Sequence, residues 1–150
     1  MRTFTTLDDV VAAAGSDIGT SDWLVVDQAR IDAFADATLD HQWIHVDTEA
    51  AAAGPFGTTI AHGFLTLSLL PHFASEVFRL ETPGARLNYG LEKVRFPSPV
   101  PVDSRLRSHV RFGEVRGLAQ GKQLIVEHTV ELEGHDKPAC VAAHVVLLLG

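Results

Sequence analysis

The chain has 150 residues, 46% hydrophobic and 21% charged, with a net charge of −7. That is the length of one compact domain over residues 1–150, able to bury about two-thirds of the surface its unfolded form exposes without a disulfide or metal staple. The single cysteine, Cys140, excludes an internal disulfide framework, and no run reaches the ~18 apolar residues that a membrane span needs.

At the N-terminus, Met1-Arg2-Thr3-Phe4 has no basic stretch leading into an apolar one, so no signal peptide is expected and a cytoplasmic location is. Thr6 with Asp9 forms a capping-box pattern, and Gly15 closes that short helix. Ser16-Asp17 reads as a turn and Ile18 to Val26 as a first strand or extended arm. Asp27 caps a second helix whose Ile31, Phe34, Ala35 and Thr38 share one face. Leu39 to Asp47 has no clean period, and Thr48 to Ala53 reads as a turn or two of helix ended by Gly54-Pro55. From His62 to Arg79 the apolar residues surround the helical wheel, which predicts a buried helix, kinked at Pro71.

The period then changes to two. Leu106, Ser108, Val110 and Phe112 alternate with Arg105, Arg107, His109 and Arg111. Leu124, Val126, His128, Val130 and Leu132 alternate with Ile125, Glu127, Thr129 and Glu131. Ala139 to Leu149 is apolar on both faces, as in a central strand or one at a subunit interface. The pattern predicts an α+β fold with an antiparallel sheet wrapped around one long helix. Residues 1–78 carry a net −9 and residues 79–150 a net +2, with seven bases between Arg86 and Arg116. A basic stretch in an acidic protein argues against nucleic-acid binding and is compatible with an anionic ligand or an acidic carrier. It is equally compatible with solvated arginines on alternate strand positions.

Two segments hold residues that do not suit their local structure: Asp40 to Asp47, where Asp40 and His45 are five apart, and Ile60-Ala61-His62-Gly63 at the mouth of the buried helix. An amide at a helix start is unsatisfied, and glycine there lets a ligand approach the backbone. Acid, base and oxyanion donor together are the parts for proton chemistry beside a carbonyl. His41 and His45 are four apart, but that spacing converges on a metal only within a helix and no third ligand is evident, so no metal is expected.

Asp40-x-x-x-x-His45-x-Asp47, then Phe56, then Ile60-Ala61-His62-Gly63, resembles the hydratase 2 motif of MaoC-like enzymes. Lys93 to Val100 resembles the strand that follows the family's central helix, so the resemblance runs over roughly residues 20–149. Leu39 stands where the family has glycine, and Gln42-Trp43 where it has Asn-Pro. The resemblance implies a hot-dog fold and an (R)-specific enoyl-CoA hydratase, or the reverse 3-hydroxyacyl-thioester dehydratase, in fatty-acid metabolism. It implies Asp40 and His45 as the pair that activates water, and the Gly63 amide as the oxyanion donor. Gln42, Ile60, Ala61 and His62 would complete the substrate site, with Leu87-Asn88-Tyr89-Gly90 and Phe96-Pro97-Ser98-Pro99 flanking thioester and pantetheine. The expected partners are an acyl-CoA or acyl carrier protein thioester and a second copy of the chain, with no cofactor. The bases between 86 and 116 would meet CoA phosphates or an acidic carrier. Two alternatives stay open: a hot-dog thioesterase, for which Glu76 would be the helix carboxylate, and a non-catalytic acyl-thioester-binding module.

Overall fold

The computed structural model describes residues 1–150. The chain opens with β1 (Arg2–Phe4) and α1 (Leu7–Ala12), and the Thr6–Asp9 capping box is formed. The expected first strand is two, β2 (Asp17–Thr20) and β3 (Leu24–Val26), both antiparallel to the same later strand. They break at Ser21, whose Oγ accepts the backbone N–H of Ser108 (2.9 Å) and so interrupts the ladder. Asp27 caps α2 (Gln28–Thr38) by accepting the Arg30 amide, and Ile31 and Ala35 are its buried residues. The aperiodic segment contains a single helical turn, α3 (Trp43–Val46), and Asp47 then caps α4 (Thr48–Ala52).

The buried helix comes in two pieces, α5 (Gly63–Ser68) and α6 (Leu70–Val77). Pro71 has no N–H to give the Leu67 carbonyl, and the helix breaks beside it at Leu69, whose amide is shared between Leu65 and Thr66. The helix also ends earlier than expected. Phe78 and Arg79 belong to β4 (Phe78–Leu80), which pairs in parallel with β1. β5 (Arg86–Arg95), β6 (Ser104–Leu118), β7 (Gly121–Leu132) and β8 (Cys140–Leu149) complete the main antiparallel sheet, in the order β2-β6-β7-β8-β5, with β3 also on β6. A register shift between Phe112 and Val115 marks a bulge, the irregularity that bends a long strand pair.

The sheet covers α5 and α6 as expected, but its inward face is not uniformly apolar. One core cluster holds Leu106, Val130 and Ala142 with Leu70 and Phe73; a second holds Val110, Val126 and Leu148 with Val77. Between them, on a diagonal across three adjacent strands, lie buried Ser108, His128 and His144. Ser108 Oγ and His128 Nδ1 are 3.0 Å apart. The outward face of β6 and β7 is a ladder of ion pairs: Arg105–Glu133, Arg107–Glu131 and Arg111–Glu127.

Candidate active site

Tertiary contacts carry Asp40 and His45 to the start of α5. The Ile60 amide donates to the Ile44 carbonyl (3.0 Å), and the Ala61 amide to Val100 (2.8 Å). His45 is buried, and its Nδ1 lies 2.6 Å from the Ile60 carbonyl oxygen. A carbonyl only accepts, so Nδ1 carries the proton and Nε2 of the neutral ring is the bare, basic nitrogen. His62 is fixed the same way: its Nε2 donates to the Asp40 carbonyl (2.9 Å), and its buried Nδ1 has no partner. The two imidazoles stack with centroids 3.8 Å apart and planes 24° from parallel.

A ligating atom from each of Asp40, His45 and His62 lies within 4.8 Å of the others. That spacing leaves room for one water to be shared, since each hydrogen bond spans about 2.8 Å. It does not suit one metal ion. Imidazole lone pairs lie in the ring plane, and planes this close to parallel do not meet within bonding distance. Burial holds the His45 pKa below the ordinary histidine value; the Ile60 carbonyl and the Asp40 carboxylate oppose that, and His62 reinforces it. His45 is therefore neutral at physiological pH and can take a proton.

His45 borders a cavity of about 350 Å³ whose walls include Phe56, Gly63, Thr66 and Phe96. The Gly63 amide, in the first turn of α5, donates to no group of the chain. A Cβ at Gly63 would sit 3.2 Å from the Phe96 ring, so glycine is required here for space and not for backbone angle. Ile60, Ala61, Ser98 and Pro99 also line this cavity. Gln42 and Pro97 do not, and the exposed Gln42 meets Asp40 only through its backbone amide (3.4 Å). Asn88, Tyr89 and Gly90 border a different cavity, between β5 and the α5–α6 break, and Leu87 is exposed beside them. They do not flank His45, because β5 runs away from Phe96 along β8.

The family model described as MaoC like domain matches residues 9–133. The chain belongs to the MaoC-like family. This MaoC-like protein is 54% identical over 147 residues to 3-hydroxyacyl-thioester dehydratase Z of Mycobacterium tuberculosis, covering 97% of each chain. It is 47% identical over 149 residues to Nodulation protein N of Rhizobium leguminosarum bv. viciae, covering 95% of this chain and 90% of that one. The solved R-hydratase PhaJ1 of Pseudomonas aeruginosa superposes with a TM-score of 0.71 at 22% identity, over 88% of this chain and 81% of that chain. The hot-dog fold expected from the motif is the fold these comparisons give.

Two residues of the site escaped the sequence reading. Gln28 of α2 donates through Nε2 to the His45 carbonyl (2.7 Å) and accepts at Oε1 from the Thr59 hydroxyl (2.6 Å), tying both catalytic segments to one helix. Nothing local marks it, because its partners lie 17 and 31 residues away. Thr66 lines the cavity with a buried, unpartnered hydroxyl. It is one of several polar residues in a largely apolar helix, and the sequence alone does not single it out. The phosphate-binding role expected for the basic stretch is not supported for Arg105, Arg107, Arg111 and Arg116. Each is paired with a glutamate, Arg116 with both Glu92 and Glu114. Arg86, Lys93 and Arg95 on β5 have no acidic partner.

Proposed function

We propose that this MaoC-like protein adds water reversibly across the trans-2 double bond of a 2-enoyl thioester, giving the (R)-3-hydroxyacyl thioester, or runs the reverse dehydration. The observation that carries the reading is the pairing of a neutral His45, with its basic nitrogen free, and the Asp40 carboxylate at the edge of a cavity that also holds the free Gly63 amide. In the hydration direction the water oxygen bonds to C3 while the π electrons move onto the thioester oxygen, which the Gly63 amide stabilises. Removing one such donor typically costs about 2.7–4 kcal/mol of barrier. The Asp40–His45 pair takes the water's proton and returns one to C2. Names of relatives fit this chemistry: one is a 3-hydroxyacyl-thioester dehydratase and another a 3-hydroxybutyryl-CoA dehydratase.

The thioesterase alternative loses its carboxylate. Glu76 faces His72 one turn away on α6 and does not border the His45 cavity. A homodimer is supported by β5, a ten-residue edge strand with Leu87, Tyr89 and Leu91 exposed on it. The thioester's carrier end would meet Lys93 and Arg95, whose strand leads into the cavity wall at Phe96. The test is the loss of enoyl absorbance from crotonyl-CoA. Asp40→Asn and His45→Gln should each lower turnover by about 10²–10⁴-fold with the fold intact, and undiminished turnover in both would overturn the assignment.

A further inference from the structure

His144 plays no part in the mechanism above, and its surroundings set it apart. It sits on the inward face of β8, is nine-tenths buried, and its imidazole has no hydrogen-bond partner. It borders two adjoining cavities between α6 and the sheet, of about 390 and 480 Å³, which share Pro71, Asn88 and His144. Their walls mix apolar residues, Leu70, Ala74, Leu124 and Val126 among them, with the polar Ser68, Ser75 and Asn88, and Arg79 and Arg86 line the second cavity. A polar group whose water is displaced by an apolar occupant is left unpaired, which costs free energy unless the occupant supplies the bond.

Position links these cavities to the catalytic one. Gly63 and Thr66 line the His45 cavity, while Leu67, Leu70, Pro71 and Ala74 of the same helical face line the next two. Along the chain into β8 the order is matched, with Ala139, just before the strand, at the first cavity and His144 at the others. The cavities at His144 thus follow the His45 cavity along one face of the helix, without sharing a lining residue with it.

We infer that this enzyme selects an acyl chain carrying a hydrogen-bonding oxygen, a hydroxyl or a keto group several carbons beyond C3, and that His144 receives it. The inference rests on the hydratase reading above. A neutral imidazole offers one donor and one acceptor, so it serves either kind of oxygen. Burial keeps His144 neutral by pushing its pKa below the ordinary histidine value. Its neighbour His128 is a second buried imidazole, whose Nε2 has no partner. A plain alkyl chain would bury against His144 and leave it unpaired, which is the situation that lets a polar site reject an apolar analogue.

The experiment compares kcat/KM for 2-enoyl-CoAs of equal chain length, unsubstituted or carrying a hydroxyl or keto group at successive positions beyond C3, with crotonyl-CoA alongside. The wild-type enzyme should prefer the oxygenated chain at one position by at least tenfold. His144→Leu should abolish or reverse that ratio, and His144→Gln, which keeps a donor and an acceptor, should retain part of it. Turnover of crotonyl-CoA with no preference at any position would overturn the inference and leave the hydratase reading standing. No turnover of crotonyl-CoA or of any longer chain would overturn the hydratase reading itself. The wild-type ratio decides the matter even if the leucine variant does not fold.

Discussion

Leu39 occupies the left-handed region at φ 63°, ψ 20°, as the residue that closes α2, with its side chain 82% exposed. A β-carbon there costs about 1–2 kcal/mol, which is why glycine suits the position. The conformation reverses the chain so that Asp40 follows directly on the helix end, and the leucine accepts strain to keep that geometry. Leu39→Gly should raise stability by about 0.5–1 kcal/mol once the added freedom of the unfolded chain is subtracted, readable as a higher midpoint in urea. Trp43 is accommodated by another glycine: a Cβ at Gly54 would lie 2.9 Å from the indole. His45 carries a prediction about pH. It must be neutral to accept a proton, and burial has lowered its pKa, so the acid limb of the rate profile should fall below the ordinary histidine value of 6.5. A limb at or above that value, measured on crotonyl-CoA, would mean that another group takes the proton.

At the scale of elements, the site is built by α2 and by the start of α5, which the sequence separates by more than twenty residues. Gln28 is the clasp. Its amide satisfies the His45 carbonyl and the Thr59 hydroxyl together, and it also donates to Asp32 (2.9 Å). Gln28→Leu leaves the half-buried carbonyl and hydroxyl unpaired, so stability should fall by about 1–3 kcal/mol. Turnover should fall with it, because His45 loses its backbone anchor. A melt and a crotonyl-CoA assay on the same preparation would separate the two effects. At the other wall, Gly63→Ala keeps the amide but crowds the Phe96 ring, so misplaced substrate should cut turnover by up to about 10²-fold while the melting temperature stays close to wild type, since the glycine's backbone angles are open to alanine.

At the scale of the molecule, part of the charge of the more basic half is paired within the sheet. Arg105, Arg107 and Arg111 of the second half are neutralised by glutamates on the β6–β7 face, where exposed pairs contribute about 0–1 kcal/mol each. The buried histidines matter more to stability than these pairs. His128 is held down to about 3, chiefly by burial and then by His144, and burial also lowers His45 and His144. These groups are neutral in the folded chain and protonate at their ordinary value when it unfolds. Their contribution is complete above pH 6.5 and is lost as pH falls, down to about 3 for His128, at about 1.4 kcal/mol per pH unit for each histidine. Urea midpoints should therefore fall steadily from pH 6.5 to 4. His128→Leu should flatten that slope by one histidine's worth, and an unchanged slope would place the acid sensitivity elsewhere.

The period-two runs, the all-round apolar helix with its Pro71 break and the Asp27 cap were legible in the chain because each is a local pattern read against one element's geometry. Asp40, His45 and Gly63 were legible because their spacing forms a motif. What the sequence by itself determined was therefore the layout, a sheet over a helix, and the residues we propose as the reacting groups. The split of Ile18–Val26, the pairing of β1 with β4 and the withdrawal of Leu87 to Gly90 from the His45 cavity depended on strand register, which no single strand records. The stacking of His62 on His45, the Gln28 clasp, the Arg–Glu ladder and the placing of His144 beyond Thr66 belong to tertiary structure alone. Each joins residues far apart along the chain, and such contacts exist only once the sheet has curled over the helix.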